Sequence, residues 1–191
     1  PKALPGLDDF FFPQGGGSSS LSSPQQSGSL PKPEEVIKDA TVKKALEEAW
    51  SDMLKRSTEV QRQEVGFWIY YDPVKKQYYI GKKRYGIAVK NDGKARGNIS
   101  LADKSLFVNG VPATAKVVAS FHTHTPMTEI KGMKRKVGPS KEDKGNSDKN
   151  RIPIIVYDYI GTKDPRTNDY YVIGGHKVSD PKKMYIYQPK K

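Results

Sequence analysis

Apolar and polar positions along the chain change period once, near residue 60. Before it, Val42, Leu46, Ala49, Trp50, Met53 and Leu54 recur at helical spacing. That spacing predicts one amphipathic helix over about residues 40–57, its apolar stripe facing a core. Glu34 and Glu35 stand ahead of it, after Pro31-Lys32-Pro33, where the helix dipole favours negative charge. Beyond residue 60 the pattern is that of strands. Glu64-Val65-Gly66-Phe67-Trp68-Ile69-Tyr70-Tyr71 is rich in β-branched and aromatic residues, a strand signature. Asp72-Pro73-Val74-Lys75-Lys76-Gln77 reads as a turn, and Tyr78-Tyr79-Ile80 as the returning arm of a hairpin. Further strands are predicted over 85–89, 116–124, 152–159, 170–174 and 183–187, with turn signals at Asn91-Asp92-Gly93 and Asn109-Gly110. One helix followed by a mostly antiparallel, in part mixed, sheet with long loops is an α+β arrangement.

The first 33 residues break this pattern. Residues 15–29 are almost entirely Gly, Ser, Pro and Gln, a flexible-linker composition that cannot bury enough apolar surface to offset the entropy of ordering. Residues 1–33 are therefore expected to be a linker, and residues 34–191 the folded domain. Phe10-Phe11-Phe12 is the exception, an aromatic triplet able to dock on the domain or on a carrier. The chain opens on Pro1 without a methionine, which suggests a piece of a longer polypeptide or a processed product. It carries no signal peptide of the usual form, and no apolar run is long enough for a transmembrane helix.

Composition narrows the chemistry. There are no cysteines, which excludes a disulfide framework and any thiolate metal site. The net charge is +12, spread over lysine-rich loops such as Lys75-Lys76, Lys82-Lys83-Arg84, 131–136 and Lys182-Lys183. No continuous basic stripe or nucleic-acid motif accompanies it, so a solvated surface explains the charge, and nucleic acid is not excluded as a partner.

Only three histidines occur, and two close the apolar run Val117-Val118-Ala119-Ser120-Phe121 as His122-Thr123-His124. On a strand, residues i and i+2 face the same way. The two imidazoles can therefore aim at one point, half of a tetrahedral metal site that a carboxylate could extend. Ser140 and Asp143 follow in a polar segment punctuated by Gly138-Pro139 and expected to be a loop. His176, in Gly174-Gly175-His176, lies far from the pair and reads as a surface residue near a turn.

An upstream glutamate on a strand, then His-Thr-His, then Ser-x-x-Asp resembles the JAMM (MPN+, JAB-like) zinc metalloproteases over about residues 40–160. Glu64-Val65-Gly66 is similar to the family's Glu-x-x-Gly strand, with the glycine one place closer. Thr125 precedes Pro126, where the family has proline directly after the second histidine. Fifteen residues separate His124 from Ser140, a longer gap than the family's, and the basic segment 129–137 reads as a loop insertion at the rim. More narrowly, the chain resembles the JAMM-like domains at the C-terminus of bacterial polymorphic toxins.

The resemblance implies a JAMM/cytidine-deaminase-like core and Zn²⁺ held by His122, His124 and Asp143. It makes Glu64 the general base and Ser140 a stabiliser of the oxyanion. Glu59 is the alternative base and Asp148 the alternative third ligand. The implied activity is amide or isopeptide hydrolysis of a protein or peptide substrate. The implied context is a toxic domain of a larger secreted effector, delivered into a target cell on a carrier polypeptide and countered by an immunity protein. A metal-dependent nuclease toxin is the alternative function.

Overall fold

The computed structural model describes residues 29–58, 60–90, 97–101, 110–125, 129–130, 133–134, 137–159 and 182–190. The expected strand over 170–174, His176, Glu59, the Asn91-Asp92-Gly93 turn and Phe10-Phe11-Phe12 lie outside them. Two helices come first, α1 (Pro33–Val36) and α2 (Ala40–Arg56). Pro33 is the buried first residue of α1. Asp39 caps α2, its Oδ1 accepting from the Val42 N–H at 3.0 Å. That bond satisfies one of the orphan donors of the first turn. Asp39→Ala should cost about 1 kcal/mol, measured as a lower midpoint in denaturant unfolding.

Five short and long strands follow: β1 (Gln61–Arg62), β2 (Val65–Asp72), β3 (Gln77–Ile80), β4 (Arg84–Tyr85) and β5 (Val89–Lys90). The strand expected over 85–89 is therefore two pieces, β4 pairing β2 and β5 pairing β1. The break at Gly86 has a cause. A Cβ there would lie 2.3 Å from the Asn98 carbonyl oxygen, and the next residue, Ile87, donates its N–H to that same oxygen at 3.1 Å. The β2–β3 turn is held by Asp72, whose Oδ1 accepts from the Val74 and Lys75 N–H groups at 2.9 and 3.2 Å. Asp72 Oδ2 takes the Thr114 hydroxyl at 2.9 Å.

Next come β6 (Lys116–Thr123), β7 (Glu129–Ile130), β8 (Met133–Lys134), α3 (Lys141–Asn150), β9 (Ile154–Tyr159) and β10 (Lys182–Tyr187). β7 and β8 pair as a small antiparallel ribbon, so the segment expected as a plain loop over 129–137 contains a hairpin. The principal sheet runs β10-β9-β6-β2-β3, with β4 on the β3 side of β2. All its pairings are antiparallel except β6 with β9. The fold is thus a mixed α/β structure with a largely antiparallel sheet and few helices. Its one parallel pair is bridged by α3, as parallel strands require a crossover. β9 is buried along its whole length, as a parallel strand covered on both faces should be.

One face of the sheet packs on α2. Phe67, Phe121 and Tyr157 come from β2, β6 and β9, with ring centroids 5.1 and 5.2 Å apart. Trp50 of α2 meets Tyr157 edge-on at 6.1 Å. Leu46, Ala49 and Met53 complete this contact, so the stripe read from the sequence is core. Because strand side chains alternate, His122 and His124 project from the opposite face. No helix among the described residues is long and apolar enough to cross a membrane.

Candidate metal centre

His122 and His124 sit at the C-terminal end of β6, the first strand of the βαβ unit, and α3 returns its N-terminus to that end. Ligand sites in α/β units favour this position, outside the carboxyl ends of parallel strands. Ser140 is the N-cap of α3. Its Oγ accepts from the Asp143 N–H at 3.1 Å, while the Ser140 N–H donates to Asp143 Oδ2 at 2.6 Å. This reciprocal capping box overturns the expectation that Ser140 and Asp143 lie in a loop. The signal was in the sequence: Ser-x-x-Asp is also a helix-start pattern.

Three candidate ligand residues converge. His122 Nε2 and His124 Nε2 are 3.2 Å apart. Asp143 places Oδ1 3.3 Å from His122 Nε2 and Oδ2 3.3 Å from His124 Nε2. A tetrahedral site with bonds of about 2.0–2.1 Å has ligand–ligand edges of about 3.3–3.4 Å by simple geometry. The separation of the two Nε2 atoms is close to such an edge, and Asp143 turns one oxygen to each imidazole. With one ligand atom from each residue within 4.8 Å of the others, His122, His124 and Asp143 can hold a metal ion. They are the one group of this kind among the described residues. Asp148 is not part of it; its carboxylate accepts from Tyr187 Oη and the Lys190 N–H instead.

Asp158 is a residue the sequence reading missed. It is fully buried on β9, and its Oδ2 lies 3.0 Å from His124 Nδ1. The same oxygen accepts from the Gly138 N–H at 2.6 Å, and Oδ1 from the Tyr159 N–H at 2.8 Å. A carboxylate on Nδ1 fixes the tautomer with its proton there and leaves Nε2 as the donor to a metal. The parallel register brings this about. Thr123 pairs Tyr157 and the His124 N–H donates to the Tyr157 carbonyl at 2.8 Å, which sets Asp158 beside His124. A lone Asp in the run Ile154-Ile155-Val156-Tyr157-Asp158-Tyr159 was the available signal, since a charge in a buried strand needs a partner.

Glu64 lies just before β2 and is buried. Gly66 pairs His122, and the Val65 N–H donates to Thr123 Oγ1 at 3.0 Å. The antiparallel register then sets Glu64 opposite His124, on the same face as both imidazoles. The Gly86 N–H holds the Glu64 carbonyl at 2.9 Å. Gly97 packs on its carboxylate so tightly that a Cβ would stand 2.7 Å from Oε1. Glu64, His122, His124, Ser140 and Asp143, distant in sequence, thus occupy one end of the sheet.

The site is strongly anionic. Burial alone would disfavour a charged His124, yet hydrogen bonds to Asp143 and Asp158, with the charges of Asp158 and Glu64, raise its pKa from 6.5 to about 9. Burial likewise works against ionised Asp143, and the two imidazoles outweigh it, holding its pKa well below the ordinary carboxylate value. Because His124 is raised in the folded state, its contribution in the metal-free protein is fully present below its ordinary value of 6.5 and lost as pH rises through about 9. The thermal midpoint of chelator-treated protein should therefore fall between pH 6.5 and 9.5. With metal supplied, binding should tighten over that window as the proton leaves the ligand. An apo midpoint that rises with pH would contradict this assignment.

Comparison of the chain with protein-family models, curated proteins and solved structures finds no match.

Proposed function

We propose that the chain is a zinc-dependent peptidase or isopeptidase of the JAMM type, on a JAMM/cytidine-deaminase-like core. The observation that carries this reading is the placement of a buried carboxylate, Glu64, across the strand pair from His124. A structural metal site has no need of an extra buried acid beside a three-ligand set, whereas hydrolysis needs a base there. His122, His124 and Asp143 would hold the zinc through two imidazoles and one carboxylate. When bound, zinc supplies Lewis acidity, which brings the pKa of water from 15.7 to about 7. Glu64 accepts a proton from the attacking water at its carboxylate and passes it to the leaving amine nitrogen. Asp158 keeps the Nδ1 proton on His124. Ser140 Oγ already accepts from the Asp143 N–H, so its own hydroxyl proton can be donated to a developing oxyanion.

The resemblance extends the proposal to context. The chain would act as the toxic portion of a larger secreted bacterial effector, delivered into a target cell and met by an immunity protein. The +12 net charge favours a metal-dependent nuclease as the second reading. Purified chain should carry about one zinc per molecule, and the His122→Ala, His124→Ala double variant none, by elemental analysis. A panel of proteins, plasmid DNA and RNA then separates the readings. Protein cleavage supports the peptidase. Nucleic-acid cleavage with proteins left intact selects the nuclease, and equal zinc in both chains removes the metal site.

A further inference from the structure

α3 carries the third ligand, yet little in its own sequence keeps it in place. Lys141-Glu142-Asp143-Lys144-Gly145-Asn146-Ser147-Asp148-Lys149-Asn150 has no apolar side chain, and Ser147 is its one buried residue. Gly145 at its centre lowers helix propensity further. Helices in proteins draw most of their stability from packing an apolar face, and α3 has none. Polar ties hold it instead. Ser147, one turn after Asp143 and on the same stripe, donates its hydroxyl to the Ile152 carbonyl at 2.6 Å. That ties the C-terminal end of α3 at one point to the segment leading into β9, and a single point does not stop the helix from rolling about its axis.

The restraint against rolling comes from the end of the chain. Tyr187 Oη of β10 donates to the Asp148 carboxylate, 3.1 and 3.2 Å from its two oxygens. The Lys190 N–H donates to Asp148 Oδ1 at 2.8 Å, and Lys144 Nζ lies 5.8 Å from the Tyr187 ring centroid. Tyr185 of the same strand packs on Gly138, where a Cβ would come within 3.2 Å of its ring. Gly138 is the residue whose N–H holds Asp158. One strand edge therefore braces both the helix that presents Asp143 and the loop that steadies the carboxylate behind His124.

We propose that Asp148 and Tyr187 form a positioning clasp for the metal centre, setting metal affinity through α3 while touching neither metal nor substrate. The clasp rests on the metal reading given above, and it gives Asp148 a role other than that of a ligand.

The test is a Zn²⁺ titration against a competing chelator, with Co²⁺ visible absorption as a report on coordination geometry. It uses the wild-type chain, Tyr187→Phe, Asp148→Asn and Asp39→Ala. Tyr187→Phe removes only a hydroxyl and Asp148→Asn only a charge, so both should fold. Each should weaken Zn²⁺ binding by about 10–100-fold and alter the Co²⁺ spectrum. Asp39→Ala, which loosens α2 on the far face, should lower the thermal midpoint and leave both readouts at wild-type values. Wild-type affinity in both clasp variants overturns the clasp while the metal site stands. An affinity loss in Asp39→Ala equal to theirs also overturns it, because general stability would then be the cause. A wild-type chain that binds no Zn²⁺ overturns the metal reading and the clasp with it.

Discussion

Glu64→Gln is expected to keep its zinc and lose hydrolysis by about 10²–10⁴-fold, the usual contribution of a positioned general base. The substitution preserves size and shape, so the packing of Gly97 on this side chain is retained. It takes away only the proposed proton acceptor. Asp143→Asn should behave in the opposite way. A neutral amide is a poorer ligand than a carboxylate, and the two imidazoles lose the charge that now faces them, so metal affinity should fall first. Elemental analysis and a cleavage assay on the two variants separate base from ligand. Full activity in Glu64→Gln with a dead Glu59→Gln would move the base to Glu59 and leave the metallopeptidase reading intact. Full activity in both would remove a glutamate base from the mechanism.

Gly66→Ala should be as damaging to the fold as Glu64→Gln is to the chemistry. A Cβ at residue 66 would lie 2.5 Å from the Phe121 carbonyl oxygen and 2.9 Å from both His122 Cβ and Leu101 Cδ2. The closest obstacle is backbone of the neighbouring central strand, which cannot swing aside as a side-chain tip can. Strands β2 and β6 would have to part where they carry Glu64 and His122. Overpacking of this kind costs about 3 kcal/mol, and His122 would be displaced with the strand. Loss of stability and loss of zinc should therefore appear together, in denaturant unfolding and in metal analysis. Gly145→Ala is the contrasting case: nothing stands within 4 Å of its Cβ, and a helical glycine replaced by alanine should gain about 1 kcal/mol. A Gly66→Ala chain as stable and as zinc-loaded as wild type would mean that the strand pair yields more easily than its geometry implies.

The helix stripe Val42, Leu46, Ala49, Trp50 and Met53, the β2–β3 hairpin and the His122-Thr123-His124 strand end were legible because each depends on local periodicity and turn chemistry. α3 was missed for a physical reason. Without an apolar face it has no helical period to read, and its one local sign is the Ser140–Asp143 capping box, which sits in a polar, Gly- and Pro-punctuated stretch. Asp158 was missed because its meaning depends on a partner 34 residues away. The hydroxyl of Thr123 holds the first N–H of β2, a role that likewise depends on a residue 58 positions away.

The sequence by itself determined which side chains could share a face: alternation along a strand is a property of the backbone, and it places both imidazoles on one side of β6. It determined the donor chemistry as well, since a chain without cysteine must bind metal through histidine and carboxylate. Only the tertiary structure decided between Asp143 and Asp148, because that choice depends on how α3 is rotated, and polar ties to Ile152 and to β10 set the rotation. Only the parallel pairing of β6 with β9 and the antiparallel pairing of β6 with β2 brought Asp158 and Glu64 to His124. Strand order and register are set by burying apolar surface across the whole sheet, a long-range balance that no short stretch of residues encodes.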